Sequence, residues 1–447
     1  MPTVKTIEVG RVTPPPEDLV LRLSALDAQW ITIPLVQRVL LFDDAGGQLP
    51  PFPSLASSLR VSLAATLARF PPFAGRIVFI PSTGDAAIDC SASDEEGGGV
   101  RFVVAEMEDA DARKLAGDAD HDVDAFKALV PELAVEALPA EVLAVQVTRL
   151  KGGVAVGVAM HHAVVDGRSV WRFLKAWASA CRGDMADTAA VTPSFDRAAV
   201  ALPDGEELAR STLRKYAPDL PLAPMVFPPG PNFPRRTFTV AAQHIHRLKL
   251  RISDLATSPT SAQATTPAPS SFVAIAALTW VSFVRSKHPD AISAKDDVYL
   301  FFFRDCRGQR GIDPPVSDNY FGTCITGCLA KATAQDLLAE EGIAAAAAAV
   351  QGEVRRAAED PLALWEWMDL LSWVPLDRFV NVSGSTRFPA YEAADFGWGT
   401  PSRTELVTMN NSGQLVLVAD KGGSGGVQAS VCIESDHMDA FSSHFLY

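Results

Sequence analysis

The sequence lacks a long hydrophobic run, a cysteine cluster and an excess of positive charge. The alanine-rich stretch 344–349 is too short and too weakly apolar to cross a membrane, so we expect no membrane span. The formal net charge of −14 argues against nucleic acid or an acidic membrane surface as a partner. The six cysteines have no zinc or redox spacing and are typical of reduced thiols: Cys90, Cys181, Cys306, Cys324, Cys328 and Cys432.

The composition is that of a globular protein with more chain than one hydrophobic core usually serves. With 447 residues, of which 48% are apolar, two domains are the first expectation. The first residues show neither a secretory signal core nor an arginine-rich presequence, and we therefore expect a cytoplasmic protein.

Strand and helix patterns alternate in both halves, which predicts an α/β fold. Leu55, Leu59, Leu63 and Leu67 form one apolar stripe of a helix, and 142–150 and 154–160 are typical of a strand pair. We predict an N-terminal domain over 1–190, a proline-rich crossover over 191–235, and a C-terminal domain over 236–447.

Histidine is scarce, with eight in the chain, yet two stand together in "MHHAVVDGRSVW" (160–171). A neutral imidazole accepts a proton at cytosolic pH, so one of them is a candidate general base. Asp166 either orients that ring or braces the turn at Gly167, and its spacing from His162 does not choose between the two. A hydrogen-bonded structural histidine at the end of a strand is the alternative for the whole segment.

A second motif, "DFGWG" (395–399), combines a carboxylate, two aromatic rings and two glycines. By itself it is also compatible with a packed turn, because glycine allows unusual backbone angles and the rings fill space.

Together, "HHAVVDG" and "DFGWG" resemble the plant BAHD family of acyl-CoA-dependent acyltransferases. "LSALD", "PPFAGRI" and "DCRGQRGIDPPVSDNYFGTC" agree, so the resemblance covers essentially the whole chain. "NYFGTC" is similar to the YFGNC signature of the subgroup rich in anthocyanin and phenolic-glycoside acyltransferases, with Thr323 where asparagine is usual. The resemblance implies two similarly folded mixed-sheet domains, as in chloramphenicol acetyltransferase, with a channel at their interface.

The resemblance also implies the mechanism. His162 is the expected general base, acting in a ternary complex without an acyl-enzyme, and Asp166 is expected to point away from the channel toward Arg307. Trp398 has an indole N–H, and we expect it to donate to the oxyanion of the tetrahedral intermediate. Structural roles beside the site are expected for Gly167, Asp395, Gly397 and Gly399.

Binding of the CoA phosphates requires basic side chains or backbone N–H groups. The candidates are a turn at Ser383, Gly384 and Ser385, and the arginines Arg235, Arg236, Arg387 and Arg403. No metal is expected. The pair His244 and His246 would share one face of a strand, but no cysteine or carboxylate cluster accompanies it.

The predicted reaction is transfer from malonyl- or hydroxycinnamoyl-CoA to a hydroxyl of a phenolic or flavonoid glycoside. A malonyl group calls for a basic residue, for which Arg168 and Arg172 are candidates. An amine acceptor is the runner-up, and a ligand-binding protein without turnover is the non-enzymatic alternative. We expect a monomer with acyl-CoA as co-substrate and no permanently bound cofactor.

Overall fold

A computed structural model describes residues 3–15, 17–91, 98–118, 120–184, 192–226, 232–256, 268–408 and 410–446. None of the helices in these ranges combines the length and the apolar character that a membrane crossing requires.

The strands of these ranges fall into three sheets. In chain order they are β1 (Lys5–Val12), β2 (Val20–Arg22), β3 (Leu35–Asp43), β4 (Arg76–Ile80), β5 (Asp85–Asp89), β6 (Val100–Asp111), β7 (Ala140–Glu141), β8 (Leu143–Lys151), β9 (Gly153–His161), β10 (Arg235–Val240), β11 (Asp297–Asp305), β12 (Ile325–Thr333), β13 (Phe379–Gly384), β14 (Arg403–Leu406), β15 (Gln414–Ala419) and β16 (Val427–Cys432).

The α-helices pack against these sheets. They are α1 (Ala25–Ala28), α2 (Phe52–Leu67), α3 (Ala112–Leu115), α4 (Val123–Ala128), α5 (Gly167–Arg182), α6 (Gly205–Tyr216), α7 (Ala242–Ala256), α8 (Ser271–Lys287), α9 (Ala334–Leu338), α10 (Gly342–Glu359), α11 (Trp367–Leu371) and α12 (Ser435–Leu446).

Two six-stranded mixed sheets confirm the predicted fold class. The first has the order β1-β6-β8-β9-β3-β14 and the second β10-β16-β15-β13-β11-β12, with a small four-stranded sheet β2-β5-β4-β7 beside the first. Each large sheet contains both parallel and antiparallel pairs, for example β6 with β8 and β8 with β9. One hydrophobic core includes residues of α2, α5 and the first sheet, and another surrounds α8.

The periodicity of the sequence correctly predicts α2 and α5. The stripe of four leucines in α2 is fully buried. In α5 the apolar residues face the core, and Gly183 ends the helix in the left-handed conformation, with φ of 79°. That conformation carries no steric cost for glycine, which explains where the helix stops.

Two features of the chain's organisation were not predicted from the sequence. The proline-rich segment 191–235 contains a regular helix, since Gly205–Tyr216 forms α6, which packs against α1. Strand β14 lies in the segment expected to form the C-terminal domain, yet it pairs with β3 of the first sheet. A four-residue edge strand carries no sequence signal of its partner, because strand pairing is decided by tertiary contact.

Candidate active site

The two adjacent histidines lie at the end of β9, where the alternation of a strand sends their side chains to opposite sides. His161 is completely buried, and its Nδ1 accepts a hydrogen bond from the Ala163 N–H at 3.2 Å. His162 keeps partial exposure, and its backbone N–H donates to the Pro34 carbonyl at 2.7 Å. His161 is therefore the structural histidine, and His162 is the one available for chemistry.

The ring of His162 stacks on Trp30. The two ring centroids are 3.6 Å apart with an interplanar angle of 10°. Trp30 in turn contacts Phe303 at 4.9 Å and Trp367 at 5.4 Å, both from the C-terminal half. Sequence reasoning missed Trp30, although it stands three residues after the "LSALD" motif that carries part of the resemblance.

Segments far apart in sequence hold the backbone of His162. The Thr323 hydroxyl donates to the His162 carbonyl at 2.6 Å, and the Thr323 N–H donates to Asp27 at 3.1 Å. Asp27 is completely buried and pairs with Arg197 at 3.1 Å. Residue 323, where the motif departs from its usual asparagine, thus connects the "NYFGTC" segment to the base.

The imidazole of His162 is neutral at physiological pH. Burial lowers the pKa of His162 to about 4, and the negative charge of Asp166 offsets only part of this shift. The Nδ1 atom has no partner among the described residues. The ring is therefore in the protonation state that a general base requires, and no carboxylate holds it.

Asp166 braces the turn rather than orienting the imidazole. It caps α5 by accepting from the Ser169 N–H at 2.9 Å, and it also accepts from the Cys324 N–H at 3.1 Å. Arg307 lies 2.7 Å from its carboxylate, and both side chains are buried. These contacts keep the pKa of Asp166 below its usual value despite a burial cost that acts in the opposite direction. The expected pair with Arg307 is present.

Gly167 brings a loop of the C-terminal half against the start of α5. A Cβ at this position would lie 2.8 Å from the ring of Phe388, so only glycine fits without a shift. The loop begins at Gly384, which has a φ of 84° and whose Cβ would lie 2.2 Å from the Leu417 carbonyl. Ser383 and exposed Arg387 flank Gly384, and the Gln414 amide donates to the Ser383 hydroxyl at 3.1 Å.

Three arginines proposed for CoA phosphates are engaged elsewhere. Arg403 is buried between Glu405 at 3.0 Å, Asp118 and the Ala116 carbonyl. Arg235 is buried beside Glu405 at 3.5 Å. Burial therefore excludes Arg235 and Arg403 from an accessible phosphate site. Arg236 forms ion pairs with Asp120 and Asp439. Of the predicted arginines, Arg387 remains, and no ion pair joins its guanidinium to the described residues.

The two arginines after the motif are also engaged. Arg168 pairs with Asp305 and Asp318, each at 3.0 Å, and Arg172 donates to the carbonyls of Asp318 and Tyr320. The expectation that one of them receives a malonyl carboxylate therefore loses its basis.

Trp398 does not lie near His162, which contradicts its expected role at the oxyanion. Its ring contacts Phe42 at a centroid distance of 5.9 Å, and Phe42 is opposite Val154 at the far end of β9. Leu35, which is opposite His161, lies seven residues from Phe42 along β3, and this separation spans roughly 24 Å. Asp395 accepts from the N–H groups of Gly397 and Gly399, so "DFGWG" is a structural turn remote from the base.

Replacing Trp398 by phenylalanine is expected to leave kcat within about twofold of the wild type, because the indole N–H is far from the reacting atoms. Steady-state kinetics of W398F, together with its melting temperature, check this. A fall of a hundredfold in kcat with an unchanged melting temperature would restore the catalytic role.

No cysteine in the described part of the chain has the properties of a nucleophile. Burial raises the pKa of Cys90, Cys306 and Cys328 to about 12, and it also raises the pKa of Cys181, Cys324 and Cys432. These thiols stay protonated at neutral pH and react poorly.

The prediction that His244 and His246 lie on a strand is wrong, because both residues belong to helix α7. Side chains two positions apart on a helix point in different directions, so these two imidazoles do not converge on one ion. Across the described ranges no group of three or more metal-ligating side chains is present.

The comparisons with known proteins cover nearly the whole chain. The model described as Transferase family matches residues 3–446. Malonyl-CoA:anthocyanidin 5-O-glucoside-6''-O-malonyltransferase of Arabidopsis thaliana is 32% identical, with 99% of this chain and 97% of that enzyme covered. Coumaroyl-CoA:anthocyanidin 3-O-glucoside-6''-O-coumaroyltransferase 2 of the same plant is 26% identical, over 98% and 96% of the two chains.

Solved structures show the same fold at lower identity. Vinorine synthase superposes with a TM-score of 0.72 at 20% identity, covering 99% of this chain and 98% of its own. TRI101 of F. sporotrichioides, complexed with coenzyme A and T-2, gives a TM-score of 0.69 at 19% identity, over 95% and 97% of the two chains.

Proposed function

Because the chain belongs to the BAHD transferase family, whose model spans residues 3–446, we propose that it transfers an acyl group from acyl-CoA to a hydroxyl of a phenolic or flavonoid glycoside. The observation that carries this proposal is the state of His162, which is neutral, partly exposed and held by segments of both halves of the chain. The relatives named as glucoside malonyl- and coumaroyltransferases support the substrate class.

In the proposed reaction the acceptor hydroxyl donates a hydrogen bond to Nε2 of His162, because Nδ1 is fully buried. As its oxygen attacks the thioester carbonyl, a C–O bond forms and the proton passes to the imidazole. The tetrahedral intermediate then collapses, the C–S bond breaks, and the protonated His162 returns the proton to the departing CoA thiolate. No covalent enzyme intermediate is needed, in agreement with the protonated and buried cysteines.

Trp30 limits where the reactants approach. Because its ring covers one face of the imidazole at 3.6 Å, the acceptor reaches His162 from the ring edge. The Ser383–Gly384–Ser385 turn and Arg387 come from the second half beside Gly167. We assign the CoA phosphates to Arg387 and to the hydroxyl groups of Ser383 and Ser385. Arg387 forms no ion pair with a carboxylate of the described residues, whereas the Ser385 N–H already donates to the Leu417 carbonyl at 3.0 Å.

The test is a matrix of malonyl-, coumaroyl-, benzoyl- and acetyl-CoA against acceptors, read by mass spectrometry. The acceptors are an anthocyanidin 5-O-glucoside, a simple phenolic glucoside, the corresponding aglycones and agmatine. We expect an ester product with a glucoside and none with the aglycones. Amide formation from agmatine alone would favour the N-acyltransferase, and no thiol release with any pair would favour a binding protein without turnover.

A monomeric, cytoplasmic enzyme completes the proposal. Free cysteines are consistent with a reducing compartment, since that compartment keeps thiols reduced. Gel filtration of the purified chain checks the monomer.

A further inference from the structure

Arg38, in the middle of β3, is a buried cation without an ion-pair partner among the described residues. Its exposed fraction is 4%, and its Nη1 has no hydrogen bond to any described residue. The other four buried arginines of the described ranges each have an ion pair: Arg197, Arg235, Arg307 and Arg403. Arg38 is the exception among these five.

The surroundings of Arg38 supply an aromatic surface but no carboxylate in direct contact with its guanidinium among the described residues. Its guanidinium lies 4.5 Å from the ring centroid of Trp171, a residue of α5. The indole N–H of Trp171 is also buried without a partner. The charge of Glu405, on the adjacent strand, acts on Arg38 from a distance and raises its pKa. Glu405 is opposite Val39, so it points to the other face of the sheet, where it pairs with Arg235 and Arg403.

The charge on Arg38 persists despite this environment. Burial lowers the pKa of Arg38 to about 10, so the side chain is still a cation at neutral pH. A buried cation is costly unless an anion compensates it, and an unpaired buried N–H adds to that cost. A small anion bound at Nη1 of Arg38 would offset both costs.

The position of Arg38 points to the reaction centre. It is opposite Val158 in β9, on the face of the sheet that Met160 shares. Four residues separate Val158 from His162, or roughly 13 Å of strand. Trp171 lies in the first turns of α5, shortly after Gly167. An extended arginine side chain and a three-carbon acyl group are together long enough to span this distance.

We propose that Arg38, with the indole N–H of Trp171 as a second donor, binds the free carboxylate of a malonyl group on the donor CoA. The inference rests on the proposed function and deepens it, because it selects the dicarboxylic donor over the aromatic one. A single small carboxylate fits a guanidinium that is almost fully enclosed, whereas the CoA phosphates carry several charges and need solvated surroundings.

The experiment compares malonyl-CoA with acetyl-CoA, which has the same reacting carbonyl and no carboxylate. With one glucoside acceptor, the wild type is expected to show at least a tenfold higher kcat/KM for malonyl-CoA. In R38Q the value for malonyl-CoA is expected to fall by roughly 10- to 150-fold, the effect of losing a hydrogen bond to a charged group, and that for acetyl-CoA by less than about threefold. R38K keeps the positive charge but loses the two-pronged guanidinium, and its kcat/KM for malonyl-CoA is expected to lie between those of the wild type and R38Q.

The matched control is R168Q, in which an arginine beside the motif loses its ion pairs with Asp305 and Asp318. In R168Q the ratio of kcat/KM for malonyl-CoA to kcat/KM for acetyl-CoA is expected to equal that of the wild type. Equal losses for both donors in R38Q, or a ratio that changes in R168Q instead, would overturn the inference. So would a wild type that transfers acetyl or coumaroyl groups as readily as malonyl groups, a result that needs no variant and leaves the proposed function intact. No transfer from any acyl-CoA would instead reject the proposed function.

Discussion

Replacing His162 by alanine is expected to lower kcat by roughly 10²- to 10⁴-fold, the range attributed to a positioned general base. No other side chain described at this site is a neutral base, since Asp166 is committed to Arg307 and the cysteines are protonated. The melting temperature is expected to fall only slightly, because alanine removes the stacking contact with Trp30 but no hydrogen bond of Nδ1. Steady-state kinetics and thermal denaturation of H162A measure both quantities.

The control for this prediction is H244A, which removes an exposed histidine from α7 and is expected to leave kcat unchanged. The pH–rate profile gives a second check. The neutral imidazole is the active form, so kcat/KM is expected to fall on the acid side only as pH drops through about 4. An H162A enzyme that keeps a tenth or more of the wild-type kcat would remove His162 from the mechanism.

The replacement of Asp166 by asparagine is expected to lower both stability and turnover. It removes the buried anion of Arg307 and leaves only the partly exposed Asp305, at 2.9 Å, beside the guanidinium. Breaking one side of a buried pair costs up to about 3–5 kcal/mol in the free energy of unfolding. The turn after His162 and the start of α5 then lose their common anchor, and we expect kcat to fall at least tenfold. Chemical denaturation and steady-state kinetics of D166N measure the two effects.

The pH dependence distinguishes bracing from ring orientation. The native pKa of Asp166 is depressed, so its stabilisation is present above its unfolded pKa of about 4 and is lost as pH falls through the native value. The difference in stability between wild type and D166N should therefore shrink in acid. Because Asp166 raises the pKa of His162, the acid limb in D166N should move to lower pH, by less than about one unit.

D85N provides the matched control, since Asp85 also pairs with an arginine, Arg210 at 2.8 Å, in the small sheet. It is expected to lower stability without lowering kcat. If the acid limb of D166N moved by more than a unit, Asp166 would be an orienter of the imidazole and not a brace.

The sequence by itself determined the elements whose patterns are local. The leucine stripe of α2, the apolar face of α5 with its glycine stop, and the alternation of β9 into His161 and His162 follow from spacing and backbone propensity. The motifs also led to the family, and with it to two mixed sheets and to the pairing of Asp166 with Arg307.

Only the tertiary structure decided which distant groups meet. Trp30 stacks on His162, and Trp398 lies near the other end of β3. Arg403 and Arg235 are buried beside Glu405, whereas Arg38 is buried without an ion pair among the described residues. Side-chain type gives no indication of these outcomes, because an arginine or a tryptophan is equally compatible with a surface, a packed turn or a binding site. Burial and the partners within a few ångströms make the distinction, and most of these contacts join residues more than a hundred positions apart.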